Sequence, residues 1–200
     1  MRPVMPRYIF VAGKKRAGKD YLADALVEHS GYEKFHIATP WLLEFYRSKG
    51  YDFGSYDEVP QELRSRYRSE LQERAAKARE RDPEVLIRPL RDYIEQRERA
   101  PSGGPAPLVV TGVRFKNEAL YAIRSGYFVV QVVVPDDVRR NRFLVSGEDL
   151  SLFDDPFEED LGPSFPCHVT LDGNLGGGAY VQQIAASYKY LLLVLKSHAN

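Results

Sequence analysis

Gly13-Lys14-Lys15-Arg16-Ala17-Gly18-Lys19-Asp20 is the stretch whose reading decides the fold. The apolar run Tyr8-Ile9-Phe10-Val11-Ala12 leads into it, and Tyr21-Leu22-Ala23-Asp24-Ala25-Leu26-Val27 continues as a helix-like segment. Strand, glycine-bracketed turn, lysine and helix is the sequence form of a phosphate-binding loop. Backbone N–H groups point into such a turn, the helix N-terminus adds partial positive charge, and Lys19 adds a full one. All three favour a di- or triphosphate. Asp20 stands where Ser or Thr normally offers a hydroxyl to magnesium, but a carboxylate is also a competent hard-oxygen ligand, directly or through water. The candidate nucleotide-binding residues are therefore Gly13, Lys14, Lys15, Arg16, Ala17, Gly18, Lys19, Asp20 and Tyr21, with Asp20 the candidate metal ligand.

The bulk numbers narrow the function classes. A chain of 200 residues with 44% apolar content suits one globular domain with a real core. Lys plus Arg and Asp plus Glu both number 28, so the formal net charge is zero. Bulk charge then offers nothing to a nucleic acid or a membrane surface, and any anion site must be local. Cys167 is the only cysteine, which excludes an internal disulfide and a cysteine-rich metal site. His29, His36, His168 and His198 show no ligand spacing. The N-terminal residues lack a signal peptide's apolar core, and the run Leu191 to Leu195 is too short to cross a membrane. The expectation is a soluble protein of a reducing compartment, the cytoplasm.

Along the chain, strands and helices alternate. Arg7 to Ala12 reads as a buried strand and the helix after the loop runs to about His29. Glu33 to Ile37 reads as a short strand, followed by a helix with Thr39 as cap and Pro40 in its first position. Trp41, Leu42, Phe45 and Tyr46 form a bulky stripe there, read either as core or as a surface on which a substrate stacks. Residues 51–59 read as a loop, and Pro60 to about Arg81 as one charged helix. Arg64, Arg68, Gln72 and Arg79 share a face of it, either solvated or, at Arg68, clamping a phosphate through forked donors. Asp82 is expected to cap a further helix to about Arg99, and residues 100–107 to form a flexible connection. The strands Leu108 to Gly112, Tyr127 to Val134 and Cys167 to Leu171, with helices at Asn117 to Ser125, from Pro135 onward and at Ala179 to Ser197, complete an α/β pattern around a mostly parallel sheet.

Phosphoryl transfer needs a phosphate cradle, a cation, a positioned acceptor and positive charge on the moving group. The loop supplies the first and Asp20 the second. Ligands of open α/β sheets lie outside the C-terminal strand ends, and Arg114 falls at such an end. It reads as an acceptor-binding and catalytic group, or else as the partner of Glu118; Asn117 reads equally well as a helix cap. Arg139, Arg140 and Arg142 are candidates for charge on the transferring group, with Arg139 and Arg142 taken as catalytic. They lie beside the acidic, irregular segment Ser146 to Pro166, which contains Glu148, Asp149, Asp154, Asp155, Glu158, Glu159 and Asp160 and could close as a lid that excludes water.

Two motifs together resemble a family. The loop through Tyr21 is similar to the GK-x-x-[SA]-GKD loop of phage-type deoxynucleoside monophosphate kinases, and Val110-Thr111-Gly112-Val113-Arg114-Phe115-Lys116-Asn117-Glu118-Ala119 resembles that family's D-V-R-F-x-N-E-A segment. Arg68-x-x-Leu71-Gln72 resembles a helical element of it, and Glu158-Glu159 followed by a strand and Asp172-Gly173-Asn174 resembles its closing region. Animal-type phosphomevalonate kinases look like a second relative, through a GK-x-x-x-GKD loop and a charged helix ending in Asp-Pro, as at Asp82-Pro83. The resemblance implies ATP, magnesium, and Arg114 and Arg68 on the acceptor's phosphate. Gly112 replaces the family's Asp, and no lysine follows Pro40 where both families carry one.

The expectation is thus a P-loop kinase three-layer sandwich in one domain over residues 1–200, with a helical acceptor-binding region at about 40–100 and a lid at about 136–166. Lys19, Arg114, Arg139 and Arg142 are the catalytic candidates; Trp41, Arg68, Gln72 and Arg114 are the acceptor-binding ones. The expected partner is a small phosphorylated acceptor, foremost a nucleoside monophosphate, with neither membrane nor nucleic acid. The alternatives are a phosphomevalonate-type kinase and a catalytically impaired nucleotide-binding module. The sequence leaves the oligomeric state open, a homodimer included.

Overall fold

Apolar runs that cannot face water on either side become central strands of a parallel sheet. Tyr8–Ala12 (β1) and Leu108–Val113 (β3) are buried at every position, and Phe128–Val133 (β4) at all but its last. The computed structural model describes residues 4–99, 104–147, 150 and 153–198. With Glu33–His36 (β2) and Val169–Asp172 (β5), these strands form a five-stranded parallel sheet in the order β2-β3-β1-β4-β5. Ile9 sits beside Val109 on one flank and Phe128 on the other, which places β1, and the loop that follows it, at the middle of the sheet.

The alternation within β1 divides the core. Ile9 and Val11 join Leu22, Ala23 and Leu26 of α1 (Lys19–Ser30) and Tyr180 and Ile184 of α8 (Gly177–His198). Phe10 points the other way, stacked on Tyr127 at 5.5 Å and edge-on to Tyr121 of α6 (Lys116–Arg124). Helices thus cover both faces of the sheet. The α-helix that follows β4 is α7 (Asp136–Val145). Among the described residues no helix is long and apolar enough to cross a membrane.

The chain divides into two compact units: residues up to Phe35 with those from Ala106 onward, and His36–Pro105. The smaller unit holds α2 (Thr39–Ser48), α3 (Gln61–Arg66), α4 (Arg68–Arg81) and α5 (Ile87–Glu98). Its centre is aromatic: Phe45 meets Tyr46 and Tyr67 edge-on at 5.4 and 5.7 Å, and Tyr46 meets Phe53 at 5.9 Å.

Several boundaries differ from the sequence reading, each for a local reason. The helix expected over Pro60–Arg81 breaks at Tyr67, whose ring is drawn into the Phe45 and Tyr46 cluster; packing outweighs helix propensity. Asp82 caps a turn rather than a helix: its carboxylate accepts the Glu84 N–H and pairs with Arg88, and α5 begins only at Ile87. Thr39 is the first residue of α2 instead of its cap, and Ala38 precedes it with its N–H bonded to Nδ1 of His36. The last strand starts at Val169, because the residue before it is tied to Val129 twice: the His168 N–H donates to the Val129 carbonyl, and Nδ1 of His168 accepts the Val129 N–H, both at 2.9 Å. Residues 100–103 of the expected connection lie outside the described residues.

The His168 ring also stacks on Phe128 at 5.0 Å, and burial lowers its pKa from the ordinary 6.5. The unfolded chain therefore binds the proton more tightly, so this ring's contribution to stability is complete above about pH 6.5 and declines below it. Denaturant unfolding at about pH 7.5 and about pH 5.5 should show a larger loss for the natural chain than for His168→Asn. Parallel losses would contradict this.

Candidate functional site

The residues between β1 and α1 turn tightly enough for the Ala17 N–H to donate to the Lys14 carbonyl at 3.0 Å. Gly18 ends the turn with φ 106 and accepts the Leu22 N–H, starting α1 with an unblocked helix N-terminus above the loop. Neighbouring backbone crowds in from two sides. A Cβ on Gly13 would stand 2.6 Å from the Val132 carbonyl oxygen, and one on Gly18 3.0 Å from that of Gly173. Both positions therefore need glycine for space as well as for the turn.

Lys19 folds back over the loop, its Nζ 3.5 Å from the Lys14 carbonyl, and is only 8% exposed. Burial pushes its pKa below the ordinary 10.5; Asp20 opposes that, Arg114 adds to it, Glu158 opposes and Lys15 adds. An anion placed against this ammonium would restore its preference for the charged form. Asp20 is exposed, and it lines a cavity of about 560 Å³ with Lys15, Lys19, Tyr21 and, from α7, Asn141 and Arg142. Lys14 and Ala17 border a second cavity, of about 630 Å³, on the β4 side. Tyr21 is partly structural: its hydroxyl accepts the Gly177 N–H at 3.3 Å and its ring meets Tyr180 edge-on.

Magnesium in phosphate sites is held by one or two carboxylates, substrate phosphates and water rather than by an all-protein cage. No cluster of three or more metal-binding side chains is present among the described residues, and a single exposed Asp20 beside the loop fits that donor set.

At the end of β3 the strand carries one extra residue. Phe10 pairs with Val110 but Ala12 with Val113, a bulge that Gly112 accommodates at φ 80. This left-handed conformation is a physical reason for glycine where the resembled kinases have Asp. Arg114 follows, close enough to Lys19 to depress its pKa. Glu118 is fully buried, and its Oε2 accepts the backbone N–H groups of Arg114 and Phe115 at 2.8 and 3.1 Å. The guanidinium instead has Asp155 4.0 Å away. Asn117 lies in the first turn of α6 rather than ahead of it.

The α7 arginines take different places. Arg142 donates to the carbonyls of Arg16, Ala17 and Gly173 and to Oδ1 of Asn174, bracing the loop against the turn after β5. Arg139 is 1% exposed: its Nε donates to Asp136, its Nη1 donates to the Phe153 carbonyl and lies 3.8 Å from Glu158, and its guanidinium covers the Phe153 ring at 3.6 Å. In this arrangement both arginines hold structure. Arg140 lies over the Phe153 ring as well.

Trp41, Arg68 and Gln72 belong to the smaller unit. Trp41 packs against its aromatic core and borders a cavity of about 430 Å³ with Arg74, Lys77 and Arg81 of α4. Arg68 opens α4 with Gln72 one turn later, and the Arg68 Nε is buried without a hydrogen-bond partner. Arg64 is structural, donating to the carbonyls of Val59 and Tyr56 and stacking on the Tyr56 ring. The sequence reading gave no individual role to Asn141 or Asn174, and Asp155 and Glu158 only a place in a closing acidic segment. The acidic segment was visible as composition, but only folding shows which carboxylates turn inward.

No model of a known protein family matches the chain, and no curated protein matches it. Among solved structures, the chain is similar to shikimate kinase from Aquifex aeolicus vf5, at 17% identity over 93% of this chain and 98% of that one, with a TM-score of 0.52. It is similar to a sugar kinase from Janibacter sp. HTCC2649, at 16% identity over 92% and 95% of the two chains and a TM-score of 0.52. A gluconokinase from Sinorhizobium meliloti 1021 matches at 18% identity over 98% and 99%, with a TM-score of 0.50. What these likenesses show is the fold, an α/β arrangement shared with these kinases.

Gly173 tests how tightly the loop is held. A Cβ there would stand 1.8 Å from the Ala17 carbonyl oxygen, and neither backbone can yield cheaply. Gly173→Ala is expected to cost about 1–3 kcal/mol in denaturant unfolding, whereas Gly162→Ala, where a Cβ meets nothing within 4 Å, should be near neutral. Equal effects would contradict the packing described.

Proposed function

We propose that the chain is an ATP-dependent kinase that transfers the γ-phosphoryl group to the phosphate of a small acceptor, a (deoxy)nucleoside monophosphate. The observation that carries the reading is the glycine-bracketed loop between β1 and α1 with Lys19 folded over it, 8% exposed and 3.5 Å from the Lys14 carbonyl, while Arg114 at the next strand end helps to lower the Lys19 pKa. Two cations held that close repel unless anions come between them. A transferring phosphoryl group with a donor on one side and an acceptor on the other supplies such anions. The shared fold with P-loop kinases supports the same reaction class, and the resemblance of residues 110–119 supports the nucleotide acceptor.

In this reading the loop N–H groups and Lys19 hold the β- and γ-phosphates, and Arg114 holds the acceptor phosphate. An oxygen of that phosphate attacks the γ-phosphorus. The bond to the β,γ-bridging oxygen breaks, and ADP and the acceptor diphosphate leave. Lys19 and Arg114 stabilise charge on the equatorial oxygens. Magnesium, when bound through Asp20, would neutralise charge between the β- and γ-phosphates. Arg142 keeps the loop in shape through its carbonyl contacts. Arg68, Gln72 and Trp41 are assigned to the acceptor from the resemblance. A soluble, cytoplasmic setting fits the reaction and the free Cys167.

Gly112 favours a second reading, a nucleotide-binding module without transfer, since the left-handed bulge leaves no carboxylate where the resembled kinases carry one. ADP release from ATP with a panel of nucleoside monophosphates, sugar acids and mevalonate phosphate separates the two. Lys19→Ala should lower turnover by about 100-fold or more; unchanged turnover would sink the kinase reading. Arg114→Ala should raise the Michaelis constant for the acceptor by about tenfold or more, with a smaller effect on ATP. An equal rise for both would remove Arg114 from the acceptor site.

A further inference from the structure

The phosphate loop already holds an anion, and the chain supplies it. The Lys15 N–H, one of the loop's donors, donates to Oε1 of Glu158 at 2.7 Å. Glu158 is 3% exposed, its Oε2 is buried with no hydrogen-bond partner, and its nearest cation is Arg139 at 3.8 Å. A buried carboxylate with one oxygen unsatisfied is costly unless it answers to a charge. The same short segment presents two more carboxylates to groups suited to phosphate. Asp155, itself buried, faces the Arg114 guanidinium at 4.0 Å, and Asp160 accepts the Lys116 N–H at the start of α6 at 3.0 Å. Phe153 and Leu161, both buried, anchor the two ends.

We propose that residues 153–161 are an intramolecular competitor for the phosphate site, with the Glu158 carboxylate standing where a phosphate oxygen of the nucleotide must go. The proposal rests on the loop being a phosphate site, as in the preceding section. One N–H cannot serve two anions, and a carboxylate and a phosphate within about 4 Å of one another repel. Nucleotide entry therefore expels Glu158. Expulsion removes one of the two carboxylates that face Arg139, with Asp136 remaining on its Nε, while its Nη2 has no hydrogen-bond partner in the occupied state. The buried guanidinium is then left to pair with the incoming phosphate. Glu158 thus sets the apparent affinity for nucleotide, because only the fraction of molecules with the segment displaced is competent to bind. The resting enzyme is also kept from holding ATP in an open, hydrated site.

Calorimetric titration of inorganic triphosphate and of magnesium ATP into the natural chain, Glu158→Gln and Glu159→Gln tests this. Glu159 is the exposed neighbour, so its variant makes the same charge change without the contact. Glu158→Gln should bind both ligands about tenfold or more tighter, and Glu159→Gln within about twofold of the natural chain. Equal or weaker binding by Glu158→Gln, with the natural chain still binding, would overturn the competitor and leave the kinase reading standing. No binding by any of the three would overturn both. Amide hydrogen exchange in the natural chain needs no variant: residues 153–161 should exchange faster when magnesium ATP is added, and slower exchange would contradict the proposal.

Discussion

The close approach of three stretches of backbone governs this molecule. Loop 13–18, the end of β4 and the turn at Gly173 lie so near one another that a single methyl group at Gly13, Gly18 or Gly173 would meet a carbonyl oxygen. Arg142 completes the arrangement by donating to carbonyls on both the loop and the turn. A loop held this way has little freedom to rearrange, so its N–H groups are already organised, and on the proposed reading little ordering cost remains for association. The parallel sheet explains why the contact exists. Strands β1, β4 and β5 end at the same edge, and the connections leaving them must share that space.

Electrostatics follows from the same crowding. Lys19 is desolvated because the loop and its neighbours enclose it, and its pKa falls accordingly. Arg139 is buried outright, and Asp155 and Glu158 are buried opposite cations. Opposite charges in a poorly solvated site interact far more strongly than on a surface, but they also carry a large desolvation cost. A hydrophobic cluster of the same volume would stabilise the fold at least as well. Buried charge of this kind is therefore not explained by stability alone.

Much of this was legible in the sequence, and the exceptions are instructive. The loop, the central strands and the Arg114 strand end could be read because each is a short local pattern: apolar runs, a glycine-bracketed turn, an arginine after a strand. Tyr67 was not legible as a helix break, since nothing within four residues of it predicts that its ring joins Phe45 and Tyr46. Glu118 entered the sequence reading only as an alternative partner for the Arg114 side chain, and the fold has it accept the backbone N–H groups there. Arg139 and Arg142 were read together as charge for the transferring group; the fold commits one to Phe153 and the other to carbonyls of the loop and of the turn after β5. Glu158 was one acidic residue among several until the chain's return placed it against Lys15, 143 positions away in sequence. Contacts of that range leave no local signature.

The central claim is that the loop from Gly13 to Lys19 receives the phosphates of ATP. The most direct measurement is a crystal structure of the chain with magnesium and a non-hydrolysable ATP analogue. The account predicts the β- and γ-phosphates inside the loop, with the Lys19 ammonium within hydrogen-bond distance of their oxygens and the nucleoside in the cavity that Tyr21 and Arg142 border. A nucleotide bound elsewhere, with the loop unchanged, would contradict it.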